Sequence, residues 1–527
     1  MTKDKIPLAI LCILIAISFV FIPVPESLIS IKQAALLKAH SDFSEQKLLE
    51  LSLFDARLSW IYLGCFIATV LCIILKVMPL GAVSLISIAF IAISTISVSA
   101  DISGAARSKA AIKDALSAFS NSLIWLIVIS IMLARGIIKT GLGRRLAFYF
   151  LSIFGKKTLG IGYSIALSEV FLAPITPSNT ARGGGIINPI VQSIAKALGS
   201  EPNNGSANKA GTYLSLVNYQ SNPITSAMFI TATAPNPLVV KLISDATNAN
   251  ISITWGQWAL GMFVPGMCAI LLMPLVIYFL SPPELKETPD ARELAKKELA
   301  AMGKFSLDEK IMLSIFGLCL FLWAGMPSNF ANWFGFSEYA KALTFDPASV
   351  AALGLAIALL TGVLKYDELL AEKTAWDTLV WFAALIMLAT MLDKLGLAAF
   401  LGQELKMAAS SLGLSVTFVM IFFTLAFLYS HYFFASTTAH ISAMFLVFYK
   451  TGLDLGAPPM LYAFMLAAAG NIMMALTHYA TGTAPVVFGS GYVSLNKWWI
   501  VGFIVSVIDI AVMICVGLVW WKILGFY

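Results

Sequence analysis

Charge is what this sequence has least of. Only 12% of its 527 residues are Asp, Glu, Lys or Arg, about half the roughly 25% of an ordinary soluble domain. Apolar residues make up 59% and the mean hydropathy is +0.87, which leaves too little polar surface for a soluble chain of this length. Lys and Arg total 34 and Asp and Glu 28, a net charge of +6, and the basic residues are scattered between apolar runs. That excludes a nucleic-acid face and reads as loop anchors at a membrane surface.

The six cysteines, Cys12, Cys65, Cys72, Cys268, Cys319 and Cys515, lie inside apolar runs and form no CxxC pair. This excludes a disulfide framework or a zinc site and leaves them as small buried apolar residues. Nothing in the sequence requires a cofactor or a resident metal. No small-x-small cleavage site closely follows the apolar run from Ile6 to Ile22, so that run reads as a first membrane helix and not as a signal peptide. The absence of a transit segment before it points to a bacterial inner membrane.

What is present is a series of apolar runs of spanning length. They predict an all-α polytopic membrane protein with about eleven transmembrane helices, at 6–23, 58–76, 79–98, 119–138, 212–245, 257–280, 311–328, 349–364, 376–392, 459–490 and 498–521. The runs 212–245 and 459–490 are broken by polar and Pro-rich centres. Two further stretches, 159–195 and 413–450, have Ser/Thr-rich centres between apolar arms. They read as re-entrant hairpins, whose irregular tips are tolerated only where they line a cavity or are buried in protein.

The chain divides into N-terminal scaffold helices (1–118) with an external insertion at 25–57, a first repeat (119–283), an amphipathic interfacial linker (284–310) and a second repeat (311–527). Ile131-Met132-Leu133 recurs as Ile386-Met387-Leu388, Ser178-Asn179-Thr180-Ala181 as Ser436-Thr437-Thr438-Ala439, and Ala232-Thr233 as Ala480-Thr481. Each pair is about 250 residues apart, as expected of an internal repeat. An interfacial linker and opposed hairpins make the repeats inverted, with a binding site where they meet. The basic cluster Lys139, Arg144, Arg145, Lys156, Lys157 puts that loop, the linker and the N-terminus in the cytoplasm. The pairs Trp498-Trp499 and Trp520-Trp521 read as interfacial anchors of the last span.

The first tip reads Pro174-Ile175-Thr176-Pro177-Ser178-Asn179-Thr180-Ala181-Arg182-Gly183-Gly184-Gly185, and the second Ala435-Ser436-Thr437-Thr438-Ala439-His440. Hydroxyls, an amide and free N–H groups at a helix start suit an anion. Two such tips can grip the two ends of a small dianion, although Ser, Thr and Asn are also ordinary helix caps. Arg182 and His440 stand two positions after their Thr in the two tips, and an ionisable residue at membrane depth is a functional candidate. Glu169 is a possible partner for Arg182. Gln220, Asn222 and His478 are second-shell candidates, with His431 and Asn218 ranked beside them.

These segments, PSNTARGGG (177–185), NPITSAMFITATAPNPL (222–238), STTAHISAM (436–444) and LTHYATGTAPVVFGSGY (476–492), resemble the divalent anion/sodium symporter family. They look most like its exchanger branch, which contains bacterial citrate/succinate and plastid 2-oxoglutarate/malate antiporters. The resemblance implies that Ser178, Asn179 and Thr180 hold one substrate carboxylate and Ser436, Thr437 and Thr438 the other. Thr233, Thr481 and Gly482 would complete the site from the broken helices. It also implies a homodimer in which a transport domain moves against a fixed scaffold. Thr437 stands where the sodium-coupled members carry Asn. The expected activity is sodium-independent exchange of di- or tricarboxylates, with Arg182 and His440 in place of bound sodium. The alternatives are a sodium-coupled dicarboxylate symporter, with sodium near Ser178, Asn179 and Ala232, and, further off, a passive anion channel or an intramembrane enzyme.

Overall fold

The computed structural model describes residues 5–39, 43–75, 77–202, 205–411 and 415–527. The first four residues of the N-terminal segment and the start of the hairpin predicted at 413–450 lie outside the described residues. Among the described residues the fold is helical throughout, with one isolated bridge, Lys157 to Glu287, and no strand.

Each predicted span falls on helix, but the lengths differ. Among the described residues six helices are long and apolar enough to cross a membrane unaided: Glu45–Ile74, Ser122–Thr140, Trp255–Leu280, Lys373–Lys394, Val416–Phe433 and Leu495–Ile523. Three more bent pairs qualify only when taken together, with bends of 71°, 58° and 67°. Leu80–Ser94 and Thr158–Leu172 are shorter apolar helices. The run 459–490 divides into Pro459–Ile472, a turn at Met473–Ala475 and Thr483–Phe488.

The predicted insertion 25–57 is mostly helical where it is described. Its first part is the helix Glu26–Ala39, and its last residues open the 30-residue helix Glu45–Ile74. Ser44 caps that helix, accepting from Lys47 N at 3.4 Å. From Glu45 to Arg57 the apolar residues are interrupted by five charged ones, so hydropathy alone starts the span too late. Each tryptophan pair puts one member into the core. Trp498 and Trp521 are fully buried, Trp498 against Tyr219 at 4.4 Å between ring centroids and Trp521 against Phe464 at 5.6 Å. Neighbours on a helix point about 100° apart, so one member of each pair faces inward.

Ion pairs join several of the connecting segments. Lys394 pairs with Asp114 at 2.7 Å, Lys139 with Glu368 at 2.8 Å and Arg144 with Glu298 at 2.6 Å. The linker helix Pro289–Ala301 lies on Leu142–Phe154 and buries Ala291 and Ala295. Arg145 ties the two together through Glu309, with contacts of 2.6 and 3.1 Å, and through the Gly303 and Met302 carbonyls.

At the centre stands Gly211–Met228, in which every residue is buried. It is also among the most polar helices, with Ser215, Asn218, Gln220, Ser221, Asn222, Thr225 and Ser226. A helix this polar is tolerated at membrane depth only where protein satisfies it. Its side chains reach both hairpin and helix breaks.

Candidate substrate site at the hairpin tips

Each tip is built the same way. In the first, Thr158–Leu172 ends ahead of Pro174 and Pro177, which cannot continue a helix. Ser178 then caps the next turn, its Oγ accepting from Ala181 N at 3.2 Å. The chain resumes as a wide π-helical segment, Thr180–Ile187, before Asn188–Ala197. In the second, Val416–Tyr429 and the turn Ser430–Phe433 lead to Ser436, whose Oγ accepts from Ala439 N at 3.3 Å. Thr437–His440 is followed by a second π segment, Ile441–Phe445. Such segments are rare and gather at functional sites.

The tips meet at the second broken helix. Asn179 donates from Nδ2 to Thr481 Oγ1 at 2.9 Å and lies 3.4 Å from Met474 Sδ. Thr437 Oγ1 donates to the Ala480 carbonyl at 3.3 Å. A Cβ added at Gly482 would stand 2.5 Å from Thr180 Oγ1, so the two chains pass at glycine distance. Asn179, Thr437, Thr438 and Thr481 are buried, Ser178, Thr180 and Ser436 half-buried, and Gly482 exposed. The accessible part is therefore a small polar patch of hydroxyls and backbone. Gly482→Ala is expected to weaken substrate uptake about tenfold or more by displacing Thr180, with thermal stability nearly unchanged. Steady-state uptake beside a melting curve of the same variant checks it.

Arg182 is not a free charge beside the substrate. It is completely buried, and its Nε donates to Glu169 Oε2 at 2.6 Å, both side chains having 0% exposure. Nη1 donates to the carbonyls of Thr176 (3.0 Å) and Ala232 (2.9 Å). Nη2 donates to Thr225 Oγ1 (3.3 Å) and Ser226 Oγ (3.0 Å). The guanidinium clamps the first tip to the first helix break, and its charge is matched by Glu169. That corrects the expectation that it offers the substrate an uncompensated positive charge. Asn222 joins the same knot, donating to Glu169 Oε2 at 3.3 Å and the Asn179 carbonyl at 3.1 Å.

The remaining candidates divide. Thr233 is buried at the first break, next to the clamped Ala232 carbonyl. Gln220 donates to the Ala475 carbonyl at 3.2 Å and so holds the second break. His478 turns elsewhere: Trp499 Nε1 donates to its Nδ1 at 3.2 Å, and it packs on Phe488 and Tyr479. His440 is fully buried behind its tip, between the rings of Phe427, Phe434 and His431. Thr225 and Ser226 were missed. Their signal is the polar run within an otherwise membrane-length helix.

Two hairpins whose tips meet discontinuous helices, within an all-helical apolar bundle, define a membrane transporter of the secondary type. The chain belongs to the family described as "Sodium:sulfate symporter transmembrane region", whose model matches residues 52–527. It is 43% identical to YflS of Bacillus subtilis (strain 168) over 89% of this chain and 92% of that one. It is 40% identical to "Dicarboxylate transporter 1, chloroplastic" of Spinacia oleracea, over 90% and 78% of the two chains. Identity to the "L-tartrate/succinate antiporter" of Escherichia coli (strain K12) is 36%, over 88% and 92%. The solved structure of MtrF from Neisseria gonorrhoeae shares the fold, with a TM-score of 0.55 at 12% identity over 84% of this chain and 95% of that chain.

Proposed function

We propose that this chain exchanges small dicarboxylates across the bacterial inner membrane without sodium. The substrate class rests on relatives named as a dicarboxylate transporter and a tartrate/succinate antiporter. Sodium independence rests on one observation: the Arg182 guanidinium already takes the Ala232 and Thr176 carbonyls. The Ala232 carbonyl is one of the groups from which a sodium site near Ser178, Asn179 and Ala232 would be assembled. At the second tip Thr437 has a hydroxyl in place of an amide carbonyl. Without sodium coupling, the gradient of a second dicarboxylate can drive uphill uptake, which favours exchange.

In this reading Ser178, Asn179 and Thr180 bind one carboxylate, and Ser436, Thr437 and Thr438 the other. Thr481 and Gly482 shape the wall between them, and Thr233 borders the first break. The two halves are inverted repeats, the N-terminus is cytoplasmic, and the protein works as a homodimer whose hairpin domain moves against the scaffold helices.

Purified protein in liposomes tests the reading. Labelled succinate is expected to enter vesicles loaded with unlabelled succinate and not vesicles loaded with buffer, at a rate unchanged by a sodium gradient. Sodium-driven uptake into empty vesicles would overturn exchange in favour of symport.

A further inference from the structure

Behind the second tip, two imidazoles face each other inside the protein. His431 Nδ1 and His440 Nδ1 are 3.1 Å apart, and both residues are completely buried. The outer nitrogen of His431, Nε2, lies 2.9 Å from the Ala480 carbonyl. A carbonyl oxygen can only accept, so His431 Nε2 carries a hydrogen. In the neutral ring its Nδ1 is then a bare lone pair, and the hydrogen between the rings belongs to His440 Nδ1. His431 thus fixes the tautomer of His440, as a carboxylate or carbonyl does for functional histidines elsewhere.

The other nitrogen of His440, Nε2, is 3.0 Å from Ser430 Oγ, which is itself 3.0 Å from the Phe427 carbonyl. This serine accommodates both states of the ring. With Nε2 bare, the hydroxyl donates to it. With Nε2 protonated, the ring donates to Oγ and the hydroxyl turns to the Phe427 carbonyl. No heavy atom has to move. The faces of Phe427 and Phe434, at centroid distances of 4.7 and 4.3 Å from the His440 ring, suit a cationic ring. Met473 Sδ completes the shell at 3.0 Å from Nδ1.

We propose that His440 is a proton-binding site that fills when a dicarboxylate occupies the second tip, and that His431 is its positioning residue. The proposal rests on the dicarboxylate reading above. An unpaired charge in this shell is costly. A carboxylate on Ser436–Thr438, at the start of the same helical turn, supplies the compensating charge. The Ala480 carbonyl links the two, accepting from Thr437 at the tip and from His431 behind it.

Other ionisable groups on the elements packed against this segment are engaged elsewhere. On Glu45–Ile74, Tyr62 donates to the Leu388 carbonyl, Asp55 accepts from Ser99 and Ala100, and Arg57 donates to the Ile22 carbonyl. Glu45, Lys47 and Glu50 belong to the polar end of that helix, and Cys65 and Cys72 to its apolar part. On Lys373–Lys394, Asp393 pairs with Lys450 and Lys394 with Asp114, while Lys373 and Asp377 lie at the opposite end. On Pro235–Ala246, Lys241 pairs with Asp245. Around the tip itself, Tyr479 donates to the Tyr432 carbonyl, Tyr429 meets Ser506 and Tyr462 donates to the Phe448 carbonyl. His431 is the titratable group in hydrogen-bonding contact with His440.

The test is calorimetry of tartrate or succinate binding to the purified protein near neutral pH, in two buffers with different heats of ionisation. The wild type is expected to take up about one proton per chain on binding. His440→Gln should bind with no proton uptake. His431→Gln should retain it, because its amide N–H can serve the Ala480 carbonyl and its amide oxygen can accept from His440. His431→Leu should lose it. Wild-type binding without proton uptake overturns the proposal and leaves the dicarboxylate reading standing. Equal proton uptake in His440→Gln places the proton elsewhere and also overturns it. Failure of any dicarboxylate to bind overturns the dicarboxylate reading and this inference with it.

Discussion

Arg182→Ala will destabilise the carrier by about 3–5 kcal/mol and reduce transport to background. The cost arises because Glu169 is left charged and fully buried without its partner. One Glu169 oxygen already has no hydrogen bond, so the remaining donors, Asn222 and Thr225, cannot take over from a guanidinium. The Thr176 and Ala232 carbonyls lose their donor in the same change. Loss of folding and loss of function can be told apart with the double variant Arg182→Met, Glu169→Leu. Replacing both members of a buried pair by apolar residues is often close to neutral, so the double variant should recover its melting temperature. Transport should stay at background, because the first tip is no longer tied to the first break. Recovered transport in the double variant would reduce the pair to a packing element.

Arg145→Ala is expected to cost about 3 kcal/mol, whereas its neighbour Arg144→Ala should cost no more than about 1 kcal/mol. The contact distances do not separate the two: each arginine makes a contact of 2.6 Å to a glutamate. Burial does. The Arg145 and Glu309 side chains are 8% and 2% exposed, and those of Arg144 and Glu298 are 56% and 32% exposed. Arg145 also satisfies the Gly303 and Met302 carbonyls and lies over the Phe305 ring at 4.7 Å. Melting curves of the two variants in the same detergent check the contrast. Equal losses would mean that burial does not govern these pairs.

Much of the fold was legible because membrane helices must satisfy their own backbone, which turns apolar length into a direct signal. The tips were legible for the opposite reason. Pro174, Pro177, Gly183 and Ser436 interrupt apolar runs where an interruption needs a purpose. Glu169 could be named as a partner for Arg182, but not preferred, since thirteen residues around a turn say nothing about which rotamers meet. The facing of His431 and His440 was hidden for the same reason. It depends on how the Ser430–Phe433 turn folds the two arms together. The start of Glu45–Ile74 was missed because Glu45, Lys47, Glu50, Asp55 and Arg57 break up the apolar residues of its first turns.

The π segments after the two tips have a genetic consequence. A π turn holds one residue more than the α turn it replaces, so the way each tip faces depends on how many residues follow it as well as on which they are. Deleting one of Gly183, Gly184 or Gly185 would leave Ser178, Asn179 and Thr180 intact in the gene. It would also let the segment close to an α turn, narrowing the wide turn that carries the tip. Within these two short windows, a lineage can change side chains far more readily than it can change length.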